Sequence, residues 1–150
     1  RASRLFDEVV MAVYDKPLKS LMFAPEERIG LVQEAFKNNP KIKVMGYSGL
    51  TVDFARQIDA QVITRGLRVF SDFEFEFRMG LANQRLASDI ETVAFITAEE
   101  HTFLSSSTVK EIASLHGNVS SMVPPHVEQA LDAKVNALGD GHSPPNALRD

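Results

Sequence analysis

No cysteine occurs among the 150 residues, which excludes disulfides, thiolate zinc sites, iron–sulfur clusters and cysteine nucleophiles. Nor is there an excess of positive charge. The 16 basic and 20 acidic residues leave a formal net charge of -4, so the chain as a whole offers no electrostatic footprint for duplex nucleic acid or an anionic membrane. Any anion must be met by a local cluster of basic groups. No apolar run approaches the ~18 residues of a membrane span, and the start lacks the charged-then-apolar order of a signal peptide. A soluble, cytoplasmic protein is expected. Glycine-rich phosphate signatures of the P-loop or G-x-G-x-x-G type are missing, as is H-E-x-x-H. What is there is 44% apolar and 24% charged in 16.6 kDa, the balance of one globular domain with a real core.

The apolar runs are short, and amphipathic stretches separate them. Val9 to Tyr14 is flanked by acids and by Asp15-Lys16-Pro17, which suits a strand buried on both faces. Ala24-Pro25-Glu26-Glu27 opens a helix, with proline early and acids where the dipole favours them; Asn38-Asn39-Pro40 stops it. A strand over Ile42 to Met45, a turn over Gly46 to Gly49, a short helix from Val52 to Ile58 and a strand over Val62 to Thr64 follow. Phe73, Phe75 and Phe77 alternate as in a strand, yet Phe70, Phe73 and Phe77 also fit a helix; with no breaker before Leu86, the helix is the reading. A strand over Thr92 to Ile96, a helix from Ser105 to His116 ended by Gly117, and a helix from Pro125 to Leu138 complete the pattern. The tail from Gly139 is expected to be disordered. This alternation predicts an α/β fold, a parallel sheet with helices on both faces, with ligands beyond the carboxyl ends of the strands.

Three loops on that edge suit an anion. Arg65-Gly66-Leu67-Arg68 follows the third strand, two guanidiniums around a glycine that lets backbone approach a ligand. The bland reading of that pair is surface ion pairing with Asp72 or Glu74. Thr102 to Thr108 leads small hydroxyls into a helix start, where N–H groups and the dipole favour phosphate; the bland reading is capping, with Thr108 and Glu111 forming an S/T-x-x-E box. Lys16-Pro17-Leu18-Lys19 brings two more cations after the first strand. Together they suggest a polyphosphate or nucleotide site. Glu99-Glu100-His101 has no partner at metal-ligand spacing, so no metal site is expected. His116 reads as structural at a helix end, and His126 and His142 as exposed. The phenylalanine row reads as core or subunit contact, because Asp72, Glu74 and Glu76 would repel a nucleic-acid backbone.

Lys19 with Met22-Phe23 and Glu26-Glu27-Arg28, Arg65-Gly66-Leu67-Arg68, Asp72-Phe73-Glu74-Phe75-Glu76 and Ser105-Ser106-Ser107-Thr108-Val109-Lys110-Glu111 resemble the bacterial phosphopantetheine adenylyltransferases. The resemblance runs from about Arg1 to Leu138. It implies a Rossmann-like nucleotidyltransferase fold, transfer of the adenylyl group of ATP to 4'-phosphopantetheine, magnesium with the ATP, a homohexamer, and coenzyme A as feedback ligand. Dephospho-coenzyme A and pyrophosphate are the implied products. By the same resemblance Lys19, Leu50, Thr51, Arg65 and Asn83 hold phosphopantetheine, while Gly66, Leu67, Arg68, Glu76 and the run His101, Thr102, Phe103, Leu104, Ser105, Ser106, Ser107 hold ATP. Lys19 and Arg68 are the implied catalytic cations. The family's first strand, its G-T-F-D-P loop and the following G-H are not among these residues; a segment carrying them is expected upstream of Arg1. The alternative is a non-catalytic α/β module that binds a nucleotide or coenzyme A.

Overall fold

Short apolar runs and amphipathic stretches fold alternately as strand and helix in a computed structural model that describes residues 1–16 and 21–139. The elements are β1 (Val9–Tyr14), α1 (Pro25–Phe36), β2 (Ile42–Tyr47), α2 (Thr51–Gln57), β3 (Val62–Leu67), α3 (Phe70–Leu86), β4 (Glu91–Ile96), α4 (Ser106–Ser114) and α5 (Pro125–Gly139). The strands pair two and two, β1 with β2 and β3 with β4. Contacts divide the chain into two compact units, one spanning Ser3–Gly46 and the chain from Leu104, the other Tyr47–Phe103.

In the first unit, α1 begins as its sequence dictates: Pro25 is the first helical residue, and the Glu27 carboxylate reaches back to accept the Ala24 N–H at 2.7 Å. Arg28 leaves the same helix to donate to the Tyr14 carbonyl at 2.7 Å, tying α1 to the end of β1. The core gathers Val109 and Ala113 of α4 with Val119, and with Leu131 and Val135 of α5. Lys134 pairs with Glu27 at 2.7 Å while its ammonium lies over the Phe23 ring. His126, expected to be exposed, is half-buried, and its Nε2 donates to the Leu31 carbonyl at 2.9 Å. Sequence spacing could not show that carbonyl, 95 residues away.

The second unit is a β-α-β crossover. Parallel neighbours need a long connection, and the 17 residues of α3 supply it; β3 and β4 run in register from Val62 opposite Glu91 to Leu67 opposite Ile96. Val52 and Ala55 of α2 bury with Ala87 and Ile90, and Ala60 and Ile63 pack against them. The phenylalanine row is not core: Phe70 is 83% exposed, and Phe73, Phe75 and Phe77 are about half exposed. Phe70, Phe73 and Phe77 share one side of the helix, with centroids 6.3 and 5.9 Å apart along it.

Three boundaries differ from expectation by two residues or more, while those of α2 and β4, the start of α4 and the end of α5, which takes in Gly139, differ by one. β2 continues through Gly46 to Tyr47 instead of turning there. β3 continues to Leu67, because Arg65, Gly66 and Leu67 keep their register with Ala94, Phe95 and Ile96, and Thr97 donates to the Leu67 carbonyl; a ladder made of backbone groups is indifferent to a charged side chain on an exposed face. α4 ends at Ser114, two residues short of His116. The tail from residue 140 lies outside the described residues. Among those described, no helix is long and apolar enough to cross a membrane.

Candidate active site

Along β3 the side chains alternate, which puts Ile63, Arg65 and Leu67 on one face. α3 lies over that region, and together with β4 the two elements line an open cavity of about 290 Å³ whose walls include Arg65, Leu67, Phe73, Glu76, Phe77 and Thr92. Phe73 and Phe77 stack with centroids 5.9 Å apart. Against this apolar wall Arg65 makes a two-pronged bond to Glu76: Nε donates to Oε2 at 2.7 Å and Nη2 to Oε1 at 2.6 Å. That hydrogen bonding outweighs burial and raises the Arg65 guanidinium above its ordinary value, with the Tyr47 phenol adding to the same effect. Arg65 was expected in a loop; it stands inside the strand, so its backbone is fixed before any ligand arrives.

Arg68 lies one residue past β3 and is held differently. Its backbone N–H and its Nε both donate to Asp72 Oδ2 at 3.0 Å, and Nη2 donates to Oδ1 at 3.2 Å. Asp72 sits at the third position of α3, where a carboxylate meets the positive end of the dipole, and it also accepts from the N-cap residue Val69. The Arg68 side chain, then the backbone N–H groups, hold this carboxyl well below the usual range. The bland expectation was thus right about Asp72. Glu74, the other candidate, points to Arg78 instead at 3.4 Å, and Glu76, eleven residues from Arg65, takes the place envisaged for it.

Gly66 separates the two arginines, and a side-chain carbon added there meets nothing within 4 Å. No protein neighbour demands the glycine, so the space beside it is open. Thr51 begins α2, and its hydroxyl is 2.9 Å from the Tyr47 hydroxyl. Tyr47 stacks on Phe54 at 4.8 Å and acts electrostatically on Arg65, so it joins Thr51 to the arginine. Sequence reasoning missed it, having placed residue 47 in a turn; its signal is the four-residue spacing to Thr51. Leu50 is the half-exposed N-cap residue of α2. Asn83 stands in the last turn of α3, where its carbonyl accepts from Ala87.

The residues after β4 divide at Leu104, Phe103 closing the second unit and Leu104 opening the rest of the first. His101 ends a single 3-10 turn and is 3.5 Å from Glu100; the Thr102 hydroxyl donates to the Ala98 carbonyl, and Phe103 is exposed. The cap of α4 is Ser105, whose Oγ accepts the Thr108 N–H at 3.1 Å, and not Thr108 with Glu111 as expected. The helix starts three residues earlier than that box requires, and Ser106 and Ser107 are its first two residues. Lys19 lies outside the described residues. Among those described, no three or more His, Asp or Glu side chains gather to hold a metal ion.

A family model described as cytidylyltransferase-like matches residues 1–112. Curated relatives carry one name. Phosphopantetheine adenylyltransferase of Roseiflexus sp. strain RS-1 is 53% identical over 131 residues, covering 87% of this chain and 82% of that protein. Its namesake from Desulfitobacterium hafniense strain DCB-2 is 49% identical over 134 residues, 89% and 82% of the two chains. That of Burkholderia mallei is 45% identical over 143 residues, 95% and 86%.

Proposed function

The chain belongs to the phosphopantetheine adenylyltransferases, a cytidylyltransferase-like family of nucleotidyltransferases, and from this we propose that it transfers the adenylyl group of ATP to 4'-phosphopantetheine, giving dephospho-coenzyme A and pyrophosphate. The observation that carries the reading is the end of β3. There, two guanidiniums three residues apart are each held by a carboxylate of α3 in a defined orientation. A phosphate oxygen of the acceptor attacks the α-phosphorus of ATP in line, and pyrophosphate leaves with the electron pair of the bond that breaks. No protein nucleophile is needed. The protein aligns two anions and balances the charge that builds on the transferring phosphate, and arginine suits this because its fork stays charged and meets phosphate by two bonds.

In this reading Arg65 holds the acceptor phosphate with Lys19, and Leu50, Thr51 and Asn83 line the way for its organic arm. Gly66, Leu67, Arg68 and Glu76 serve ATP, as do the positions from His101 to Ser107, where α4 offers N–H groups at its start. Magnesium would arrive with the ATP and offset the charge of its phosphates. Coenzyme A, which carries the same phosphopantetheine group, acts as feedback ligand at the acceptor side. A homohexamer in the cytoplasm, without nucleic-acid or membrane partners, completes the reading, and Phe70, Phe75 and Met79, exposed on α3, offer apolar surface for a contact between subunits. The test is release of pyrophosphate from ATP. It should require phosphopantetheine, and release that ignores phosphopantetheine defeats the reading.

A further inference from the structure

Two of the residues assigned to the acceptor, Leu50 and Thr51, stand at the very start of α2, and that start is weakly built. Leucine at the N-cap has no acceptor to give the N–H groups of the first turn, and no side-chain cap bond is present there among the described residues. Just before it, Gly49 turns the chain at φ 84°, in the left-handed region that glycine enters without steric cost. The rest of α2 is fixed by other means: Val52 and Ala55 are buried in the core of this unit, and Arg56 Nε donates to Asp89 at 3.1 Å. What holds the first turn is Tyr47. Its ring stacks on Phe54 with centroids 4.8 Å apart, and its hydroxyl lies 2.9 Å from that of Thr51 in a half-buried pair, close enough for one to donate to the other. A phenylalanine would stack on Phe54 as well, so the hydroxyl is the part of this side chain that packing does not account for.

We propose that Tyr47 is a positioning residue for the acceptor substrate: bonded to the Thr51 hydroxyl and stacked on Phe54, it holds the uncapped first turn of α2 where Leu50 and Thr51 meet the organic arm of phosphopantetheine. The inference rests on the adenylyltransferase reading and adds a residue to which the resemblance gives no role. Its physical content is pre-organisation. A loose helix start would be ordered only as the substrate binds, and that ordering would be subtracted from affinity. The Tyr47 phenol is also near enough to Arg65 to act on it electrostatically, so the same side chain borders the phosphate end of the acceptor site.

The experiment uses the full-length protein with Tyr47→Phe, Thr51→Val and the double variant. Phenylalanine keeps the stack and removes one hydroxyl; valine keeps the shape of threonine and removes the other. Expected for Tyr47→Phe is a rise in KM for phosphopantetheine of about threefold to tenfold, the scale of one neutral hydrogen bond, with kcat and KM for ATP changed by less than about twofold, the pattern of lost uniform binding. In the Thr51→Val background, Tyr47→Phe should add nothing, because residues acting through one another are not additive. Thr51→Ser keeps the hydroxyl, so it should stay nearer wild type than Thr51→Val, and in its background Tyr47→Phe should again raise KM. An unchanged KM for phosphopantetheine in Tyr47→Phe, a change that falls on ATP or on kcat, or an effect that multiplies with that of Thr51→Val overturns the proposal. Packing alone would lower the melting temperature and leave both KM values in place, which overturns it equally. Calorimetric binding of phosphopantetheine to wild type and Tyr47→Phe judges the positioning role without turnover. A wild type that binds it but releases no pyrophosphate defeats the adenylyltransferase reading and leaves the binding comparison to judge Tyr47, whereas a wild type that binds none overturns both.

Discussion

The β3–α3 junction and the start of α4 were both expected to handle phosphate, and they are built in opposite ways. At the junction the working groups are charged side chains, Arg65 and Arg68, held from behind by Glu76 and Asp72. At α4 the side chain is neutral and already employed, since the Ser105 hydroxyl accepts the Thr108 N–H. Acids grip the arginines without cancelling their purpose, because a guanidinium has more donors than one carboxylate can use. The Ser105 hydroxyl also lies 2.9 Å from the Thr108 hydroxyl, so its hydrogen bonding is already engaged within the helix start. Side chains should therefore govern turnover at the junction and stability at α4, and the comparison can be broken at either place.

The largest effect is expected at Arg68. Arg68→Ala should lower turnover by about a hundredfold to a thousandfold, the range seen when one donor to a developing charge is removed, while the melting temperature moves little, because its pair with Asp72 lies at the surface, where ion pairs contribute little to stability. Steady-state kinetics beside thermal unfolding checks this. An unaltered rate removes Arg68 from the chemistry.

Next comes one substitution made in both regions. At Gly117, beyond α4, an added carbon would lie 2.6 Å from Ile112 Cγ2 and 3.1 Å from the Ile112 carbonyl oxygen. The chain closes α4 there, with Gly117 donating to Ile112 and His116, at φ 58°, donating to Ala113. Gly117→Ala should destabilise by about 1–3 kcal/mol, as overpacking does. Gly66→Ala meets open space and should leave folding intact while weakening ATP binding. Chemical denaturation with a binding assay separates the two. Equal loss of stability at both glycines would mean that the junction is packed as tightly as the helix end.

Much of this was legible beforehand, for reasons that are local. Val9 to Tyr14 matches the observed β1 residue for residue, and α1 opens at Pro25 and ends at Phe36, just before the expected stop at Asn38, because hydrophobic period, proline and acids in the first turn all act within a few residues. The helix reading of residues 70 to 86 held for the same reason. What was missed depends on distant partners. β3 outruns its apolar residues because β4 pairs with it, and the pairing of Glu76 with Arg65 was overlooked because the two lie eleven residues apart on different elements. Tyr47 and His126 belong to the same class. The motif R-G-L-R named the right cations, and only the fold shows which carboxylate holds each.

Ser105→Ala should cost about 1 kcal/mol of stability, the usual price of an N-cap, and reduce turnover far less than Arg68→Ala. If it cut turnover as deeply as Arg68→Ala with no loss of stability, the contrast between the two regions would collapse.

The smallest effect is an acid limb that both units share. Asp72 is held low chiefly by its hydrogen bonds with Arg68, and Asp89 by those with Arg56. In the other unit Glu27 is held low by Lys134 and Glu34 by Lys37. For a carboxyl whose folded value is depressed, the stabilising contribution is complete above the unfolded value of about 4 and is lost as pH falls through the folded value. The melting temperature should therefore stay level on these groups' account from neutral pH down to about 5 and fall below about 4. Asp72→Asn and Glu27→Gln should each make that fall shallower, one in each unit. Each variant gives up at neutral pH what its carboxylate contributed, so it has less to lose in acid. A melting temperature that slopes steadily between pH 7 and 5 would assign the acid response to other groups, and a fall unchanged by either variant would show that these exposed pairs contribute nothing measurable.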